Sequence, residues 1–221
     1  EVQFLPTKHS GPVSGLFLRP RDAKWLLVFS HGAGAGMKHP FMEIVSQRLA
    51  ASGIATFRYQ FPYMEQKSRK LDPKPVLLAT VRSAVEKARD LDKSLPLLAG
   101  GKSMGGRMTS NAAAEEPLNE ARGIVFFGFP LHPPGKPATE RADHLHRVTV
   151  PMLFLQGSKD KLADLSLLRP ICQKLGSLAT LHVIDGADHS FHMLKSSGRA
   201  DSDVLDELVR SITEWLIQIN P

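Results

Sequence analysis

The sequence is poor in cysteine, with Cys172 the single one among 221 residues. One thiol excludes an internal disulfide framework and any zinc site built on cysteines. Long apolar runs are also missing: the longest, residues 25–29, has five residues, whereas a membrane helix needs roughly 20. The first residues show no basic-then-apolar leader. We therefore expect a soluble, cytoplasmic protein that does not bind membranes.

Clustered charge is likewise scarce, although the net charge is +6. The densest basic group consists of Lys67, Arg69, Lys70 and Lys74, and we interpret it as a solvated loop. We therefore expect no nucleic-acid partner. With 42% hydrophobic and 23% charged residues, the length fits a single globular domain over residues 1–221, acting as a monomer or a homodimer.

Short apolar runs rich in branched residues alternate with segments of helical period. The predicted strands are 15–18, 25–30, 54–59, 97–100, 123–127, 152–156 and 180–184. The predicted helices are 41–52, 75–91, 104–115, 162–175 and 203–219, with Pro170 placed to kink or split the fourth. This alternation predicts an α/β fold with one mostly parallel central sheet and helices on both faces. The proline-rich segment 129–137 is interpreted as a loop at a strand end.

The clearest motif, G-x-S-x-G, runs from Gly101 to Gly105 between a predicted strand and a predicted helix. Such a tight turn forces its central residue, Ser103, into a strained conformation, and glycines avoid collisions there. The hydroxyl then lies at a helix N-terminus, where backbone N–H groups favour negative charge. We predict that Ser103 is a nucleophile. A phosphate-binding loop ending in Gly101-Lys102-Ser103 is disfavoured, because its first glycine would fall at Pro96.

A serine hydroxyl needs a neighbouring base to become a good nucleophile. His189 follows the last predicted strand and precedes the terminal helix, and we predict that it is this base. His192 is the alternative, and it either lines the pocket or packs beneath the loop. His144 and His146 lie in a polar stretch that follows no predicted strand, so we interpret both as surface residues.

The base in turn needs a carboxylate that holds its tautomer and stabilises its cation. Asp160 lies in the turn after the sixth predicted strand, whose end faces the same sheet edge as Ser103. Asp164 is the fallback, although its place near a helix start is typical of a capping residue, and Asp188 is interpreted as shaping its loop. The order Ser103, Asp160, His189 is the nucleophile–acid–base order of strand–helix hydrolases.

A glycine-rich segment, residues 29–36, follows the second predicted strand. Its backbone can approach a bound carbonyl, and its N–H groups can stabilise an oxyanion. The predicted donors are the N–H groups of Ala33 and Met104. We interpret His31 as bracing this loop by hydrogen bonding rather than as a base. A dinucleotide site is disfavoured, because its third glycine would fall at Met37.

These motifs together carry a resemblance that spans nearly the whole chain: His31-Gly32 through Gly36, Gly101-x-Ser103-x-Gly105-Gly106, Gly157-x-x-Asp160 and Asp188-His189-Ser190-Phe191. The chain resembles small α/β-hydrolases of the dienelactone-hydrolase-like group. Segments 100–107, 57–59 and 61–63 resemble a branch that includes a testis-expressed protein and a subunit of a chromatin-modifying complex. The resemblance implies a serine-hydrolase triad at Ser103, Asp160 and His189, with no metal and no organic cofactor.

Two departures from the group limit what the resemblance implies. Well-studied dienelactone hydrolases have cysteine where Ser103 stands, so their substrate is not carried over. About 24 residues separate the fifth and sixth predicted strands, too few for the full cap domain that many relatives insert. We therefore expect an open, shallow pocket. Its candidate walls are Phe61, Tyr63, Phe129 and Phe191.

The function predicted from these features is hydrolysis of small, accessible esters or thioesters, with a small-molecule ester as substrate. The alternative is a catalytically silent interaction module, prompted by the positive charge and by the chromatin-associated relatives. Cys172 is expected to pack its helix into the core.

Overall fold

A central sheet of eight strands organises the computed structural model, which describes residues 1–118 and 120–219. The strands are β1 (Val2–Phe4), β2 (Val13–Leu18), β3 (Trp25–Ser30), β4 (Ile54–Tyr59), β5 (Leu97–Lys102), β6 (Ala121–Phe127), β7 (Met152–Gly157) and β8 (Ala179–Ile184). Their order across the sheet is β1-β2-β4-β3-β5-β6-β7-β8. The pairs β1–β2 and β2–β4 are antiparallel, and all other pairs are parallel. The predicted mostly parallel sheet is thus confirmed.

Helices cover both faces of this sheet. They are α1 (Pro40–Ala51), α2 (Pro62–Glu65), α3 (Lys74–Leu91), α4 (Met104–Glu115), α5 (Leu165–Leu175) and α6 (Asp201–Ile219), with 3₁₀ turns at Glu140–Arg147, Gly176–Leu178 and Lys195–Ser197. Side chains of α1 and α6 form one apolar cluster with the sheet, and those of α3, α4 and α5 form the other. Within the described ranges, no helix is both long and apolar enough to cross a membrane.

Strand β3 shows why the central runs of the sequence are apolar without alternation. Leu26 and Val28 belong to the cluster on the α3 and α4 side, whereas Leu27 and Phe29 belong to the cluster on the α1 and α6 side. All four side chains are buried. A parallel strand covered on both faces has no solvated side, so every position favours an apolar residue.

The differences from the predicted elements lie in short or capped segments. Strand β1 has three residues and α2 has four, too few for a periodic pattern to show. Helix α5 begins three residues later than predicted, because the Asp164 carboxylate accepts a hydrogen bond from the Ser166 N–H (2.8 Å) and caps its N-terminus. Pro170 does not split this helix, which continues to Leu175.

The connection between β6 and β7 carries no cap domain. The one regular element in residues 128–151 is the 3₁₀ turn Glu140–Arg147. Residues 129–137 form a loop, as their prolines predict. The carboxyl ends of the parallel strands are therefore left without a lid from this segment.

Trp215 is the largest side chain with which α6 fills the core, and it is 2% exposed. We expect Trp215→Ala to lower the free energy of unfolding by about 3–5 kcal/mol, because the cavity removes dispersion contacts as well as buried area. Chemical denaturation measures the change. Ile217 on the same helix is 77% exposed, so Ile217→Ala should change the value by less than about 0.5 kcal/mol. Equal effects of the two substitutions would contradict this placement of α6.

Candidate active site

Ser103 lies in a sharp bend between β5 and α4. Its φ of 52° and ψ of −117° fall in a region that non-glycine residues rarely adopt. A Cβ atom on Gly101 would lie 2.0 Å from Ser30 Oγ, and one on Gly105 would lie 2.5 Å from the His31 carbonyl oxygen. Both glycines of the motif are therefore required by the close approach of the β3 end to this bend.

The bend brings the Ser103 hydroxyl to an imidazole from the far end of the chain. His189 Nε2 lies 2.8 Å from Ser103 Oγ, and His189 Nδ1 lies 2.6 Å from Asp160 Oδ2. An ionised carboxylate can only accept, so Nδ1 carries the proton and Nε2 accepts from the hydroxyl. The structure thus joins the three residues in one line of hydrogen bonds at the carboxyl edge of the sheet.

The Asp160 side chain is fully buried and held by three hydrogen bonds. Besides His189, Gln156 Nε2 donates to Oδ2 (2.5 Å) and the Leu162 N–H donates to Oδ1 (2.7 Å). Gln156 Oε1 accepts from the Phe129 N–H (2.9 Å), which fixes the orientation of the amide. Gln156 was not among the predicted site residues. The sequence feature that could have indicated it is the polar residue that follows the apolar run of β7.

The alternatives to Asp160 and His189, namely Asp164, Asp188 and His192, have other roles in the structure. Asp164 caps α5, and Asp188 Oδ1 accepts from the N–H groups of Ser190 (2.8 Å) and His192 (2.9 Å), which shapes the loop. The side chain of His192 is 68% exposed and pairs with Asp201 at 2.6 Å. None of the three contacts the Ser103 hydroxyl through a hydrogen bond in the described part of the chain.

The predicted oxyanion donors flank the bend. Ala33 lies in the turn after β3, and Met104 is the first residue of α4. No hydrogen-bond acceptor for either N–H occurs within residues 1–118 and 120–219, so both are free to bind a developing oxyanion. A side chain of α2 also holds this turn, because the Gly34 N–H donates to the Tyr63 hydroxyl (3.0 Å).

His31 braces this turn from within the core. Its Nδ1 lies 2.7 Å from the Gly32 carbonyl oxygen, and its Nε2 accepts from the Phe61 N–H at 3.2 Å. Burial lowers the pKa of His31 to about 4. The imidazole is thus neutral at physiological pH and has both ring nitrogens engaged by backbone groups.

A cleft of about 750 Å³ opens beside Ser103. Its walls are mostly apolar and come from the turn after β3, the start of α1, the loops after β7 and β8, and the first turns of α6. They include Phe41, Ile44, Leu162, Phe191 and Leu205. The volume of the cleft lies within the range of small-ligand sites, and the expectation of a shallow pocket stays a prediction. Residues of α1 and α6 supply part of the wall, which the lengths of the loops do not reveal.

Of the four predicted aromatic walls, Phe191 alone is among the residues that line this cleft. Phe61, Tyr63 and Phe129 were wrong as walls: all three are buried in the cluster on the α3 and α4 side. Phe61 and Tyr63 instead hold the turn after β3, because the Phe61 N–H donates to His31 and the Tyr63 hydroxyl accepts from the Gly34 N–H. Aromatic side chains after a strand are more often core residues than ligand contacts.

His144, expected at the surface, is buried. It lies in the 3₁₀ turn Glu140–Arg147, which packs one side against α4. Its Nε2 is 2.7 Å from Ser110 Oγ and 3.2 Å from Asn111 Nδ2. Burial, reinforced by surrounding positive charges, lowers its pKa to about 4. His146, on the other side of the turn, is exposed as expected.

Metal-ligating residues are dispersed in the structure. Across residues 1–118 and 120–219, no three His, Cys, Asp or Glu side chains are grouped so that they could hold a metal ion. Cys172 packs against the core from α5, and burial raises the pKa of its thiol to about 11.

Comparison with known proteins agrees with this architecture. A family model described as an alpha/beta hydrolase domain matches residues 23–217. The chain belongs to the α/β-hydrolase family. Its eight-stranded sheet is also that of solved members of this fold.

Three solved structures illustrate the likeness of this α/β hydrolase. An alpha-beta serine hydrolase homologue from Coxiella burnetii has a TM-score of 0.76 at 17% identity, covering 95% of this chain and 96% of that one. Dienelactone hydrolase from Anabaena variabilis has 0.75 at 21%, covering 98% and 95%. A serine hydrolase without lid from Xanthomonas campestris has 0.72 at 20%, covering 94% and 91%. At these identities the likeness shows the fold alone.

Among curated proteins, one from Mycobacterium tuberculosis H37Rv, named "Putative phosphoribosyl transferase", is 24% identical over 210 residues. The match covers 93% of this chain and 44% of that protein. The chain therefore spans less than half the length of the curated relatives it matches.

Two of the buried histidines, His31 and His144, make stability depend on pH. The folded pKa values of His31 and His144 are about 4, below the usual 6.5, so the unfolded chain binds protons that the folded chain does not. Their contribution to the free energy of unfolding is present above pH 6.5 and is lost as the pH falls towards 4. We expect His144→Gln to flatten this dependence by up to about 1.4 kcal/mol per pH unit.

Urea denaturation across this pH range measures the slope. His146→Gln is the matched control, because this neighbour is exposed and its removal should leave the slope unchanged. Parallel slopes for the wild type and His144→Gln would mean that His144 titrates normally in the folded protein.

Proposed function

We propose that this α/β hydrolase is a serine-dependent acyl hydrolase, an esterase or thioesterase for small-molecule substrates. The observation that carries the proposal is the line of contacts from Ser103 Oγ to His189 Nε2 (2.8 Å) and from His189 Nδ1 to Asp160 (2.6 Å). A hydroxyl, an imidazole and a buried carboxylate in this line are the groups that activate a serine. The structural neighbours from Coxiella and Xanthomonas, a serine hydrolase homologue and a serine hydrolase, support the same chemistry.

In the proposed reaction, Ser103 Oγ attacks the substrate carbonyl while His189 Nε2 takes the hydroxyl proton. Asp160 stabilises the resulting imidazolium, and the N–H groups of Ala33 and Met104 bind the tetrahedral oxyanion. His189 then returns the proton to the leaving alcohol or thiol, which leaves an ester on Ser103. Water, deprotonated by His189, hydrolyses this ester and releases the acid.

The cleft supports an apolar acyl group as the part of the substrate that is bound. Phe41, Ile44 and Leu205 line it beside Ser103, and an aliphatic chain placed there would be removed from water at a gain of about 0.8 kcal/mol per methylene. We therefore propose that esters whose acyl chains fill the cleft are hydrolysed faster than acetyl esters.

Covalent labelling tests the nucleophile. A fluorophosphonate probe should label the wild-type protein and should not label Ser103→Ala, and p-nitrophenyl ester hydrolysis should fall by at least about 1,000-fold in this variant. Ser177→Ala, which alters an exposed serine on the 3₁₀ turn after α5, should label and turn over as the wild type does. A folded wild type that neither labels nor hydrolyses esters would favour the silent interaction module instead.

Substitution of Leu205 tests where the acyl chain binds. Leu205→Trp narrows the cleft from α6, so kcat/KM for long-chain p-nitrophenyl esters should fall by about tenfold or more, within the range expected when a few methylenes lose their site. The acetyl ester should be hardly affected. Ile217→Trp, on an exposed part of α6, is the matched control. A uniform loss across all chain lengths would show that the chain binds elsewhere.

A further inference from the structure

Lys102 is a half-buried cation at the cleft that the proposed reaction does not use. It is the last residue of β5 and directly precedes Ser103. Its Nζ donates a hydrogen bond to the backbone carbonyl oxygen of His189 at 2.5 Å. A side chain attached beside the nucleophile thus binds the backbone of the residue that supplies the imidazole.

Two aromatic rings lie beside the ammonium group. Lys102 Nζ lies 5.3 Å from the ring centroid of Phe191 and 5.8 Å from that of Phe41, within the range of cation–π attraction. The two rings are themselves stacked, with centroids 5.8 Å apart and planes at 12°. On the other side, a Cβ on Gly128 would be 3.2 Å from Nζ. The ammonium is therefore confined and has little freedom to leave the His189 carbonyl.

Charged groups around Lys102 come from two loops. Burial lowers the pKa of Lys102 to about 8, while Asp160 after β7 and Asp188 after β8 act in the opposite direction. The other titratable groups of the cleft are His189 itself, His39 before α1, and His192 with its partner Asp201. The ammonium form therefore prevails at neutral pH and declines as the pH rises through 8.

We infer that Lys102 is the positioning residue of the imidazole: its ammonium, which lies beside Phe41 and Phe191, fixes the His189 carbonyl and so keeps Nε2 within reach of Ser103. The inference rests on the proposed hydrolase function. The His189 loop lacks regular secondary structure, so its geometry depends on such tertiary contacts. A misplacement of a catalytic group by about 1 Å can lower a rate by about 100-fold.

The test is Lys102→Met, which retains the length and apolar stem of the side chain and removes the charge and the donor. With a p-nitrophenyl ester as the probe substrate, kcat should fall by about 10- to 100-fold while KM stays unchanged. Fluorophosphonate labelling should slow by the same factor. Lys93→Met, at an exposed lysine after α3, is the matched control, and thermal unfolding monitored by circular dichroism checks that each variant is folded.

A double-mutant cycle separates positioning from a general structural role. If Lys102 acts through His189, Lys102→Met should cause no further loss in a His189→Ala background. If it acts independently, the losses should multiply.

The pH profile of the wild type tests the inference without any substitution. The kcat of the wild type should decline as the pH rises through about 8, because the neutral amine donates a weaker hydrogen bond than the ammonium. Lys102→Met should lack this alkaline limb.

The inference would be overturned by a Lys102→Met kcat within about twofold of the control, by multiplicative losses in the cycle, or by an alkaline limb that persists in Lys102→Met. A raised KM with unchanged kcat would assign the ammonium to substrate binding and overturn it as well. If the wild type instead neither labels nor hydrolyses any ester, the proposed function fails first, and the role of Lys102 fails with it.

Discussion

The close crossing of two backbones, the end of β3 and the β5–α4 bend, is the constraint on which the site depends. Ser30 and His31 approach Gly101 and Gly105 so closely that a Cβ atom on either glycine would overlap them. This contact holds Ser103 at a positive φ, and the turn that follows β3 brings Ala33 to the same cleft. The proposed nucleophile and one proposed oxyanion donor are thus positioned by the same steric contact, before any polar interaction is considered.

The partners of each buried imidazole decide what it can do. His31 is engaged by two backbone groups and His144 by a hydroxyl and an amide. Among these partners there is no carboxylate to stabilise a cation, and burial keeps both rings neutral. His189 faces a buried carboxylate from Asp160 and is itself partly open to the cleft. A ring that must gain and lose a proton needs that combination. An imidazole that is buried without a carboxylate stays neutral, and an imidazole that is fully exposed has no fixed orientation.

Local sequence predicted the strands and the residues around Ser103 well, because a buried parallel strand and a glycine-flanked bend each impose their pattern on neighbouring residues. The sequence did not reveal the burial of His144, which follows from the packing of its 3₁₀ turn on α4. It also did not reveal that Phe61 packs on His31 and that Phe129 packs on Phe126, away from the cleft. The contact of Gln156 with Asp160 could not be predicted for a related reason. The Gln156 amide acts on Asp160 and on the Phe129 N–H, and a pairing between a strand and two loops has no signature in spacing.

The two halves of the site owe their rigidity to different sources. Ser103 is held by its own backbone and by glycines two residues away on either side, so its geometry is local. His189 stands on a loop in which even Phe191 adopts a positive φ of 66°, and there the ordering comes from side chains: the Asp188 caps, the Phe191 ring and the Lys102 ammonium. Substitutions of Gly101 or Gly105 should therefore disturb folding of the sheet edge, whereas substitutions around the loop can misplace the imidazole in a protein that remains folded.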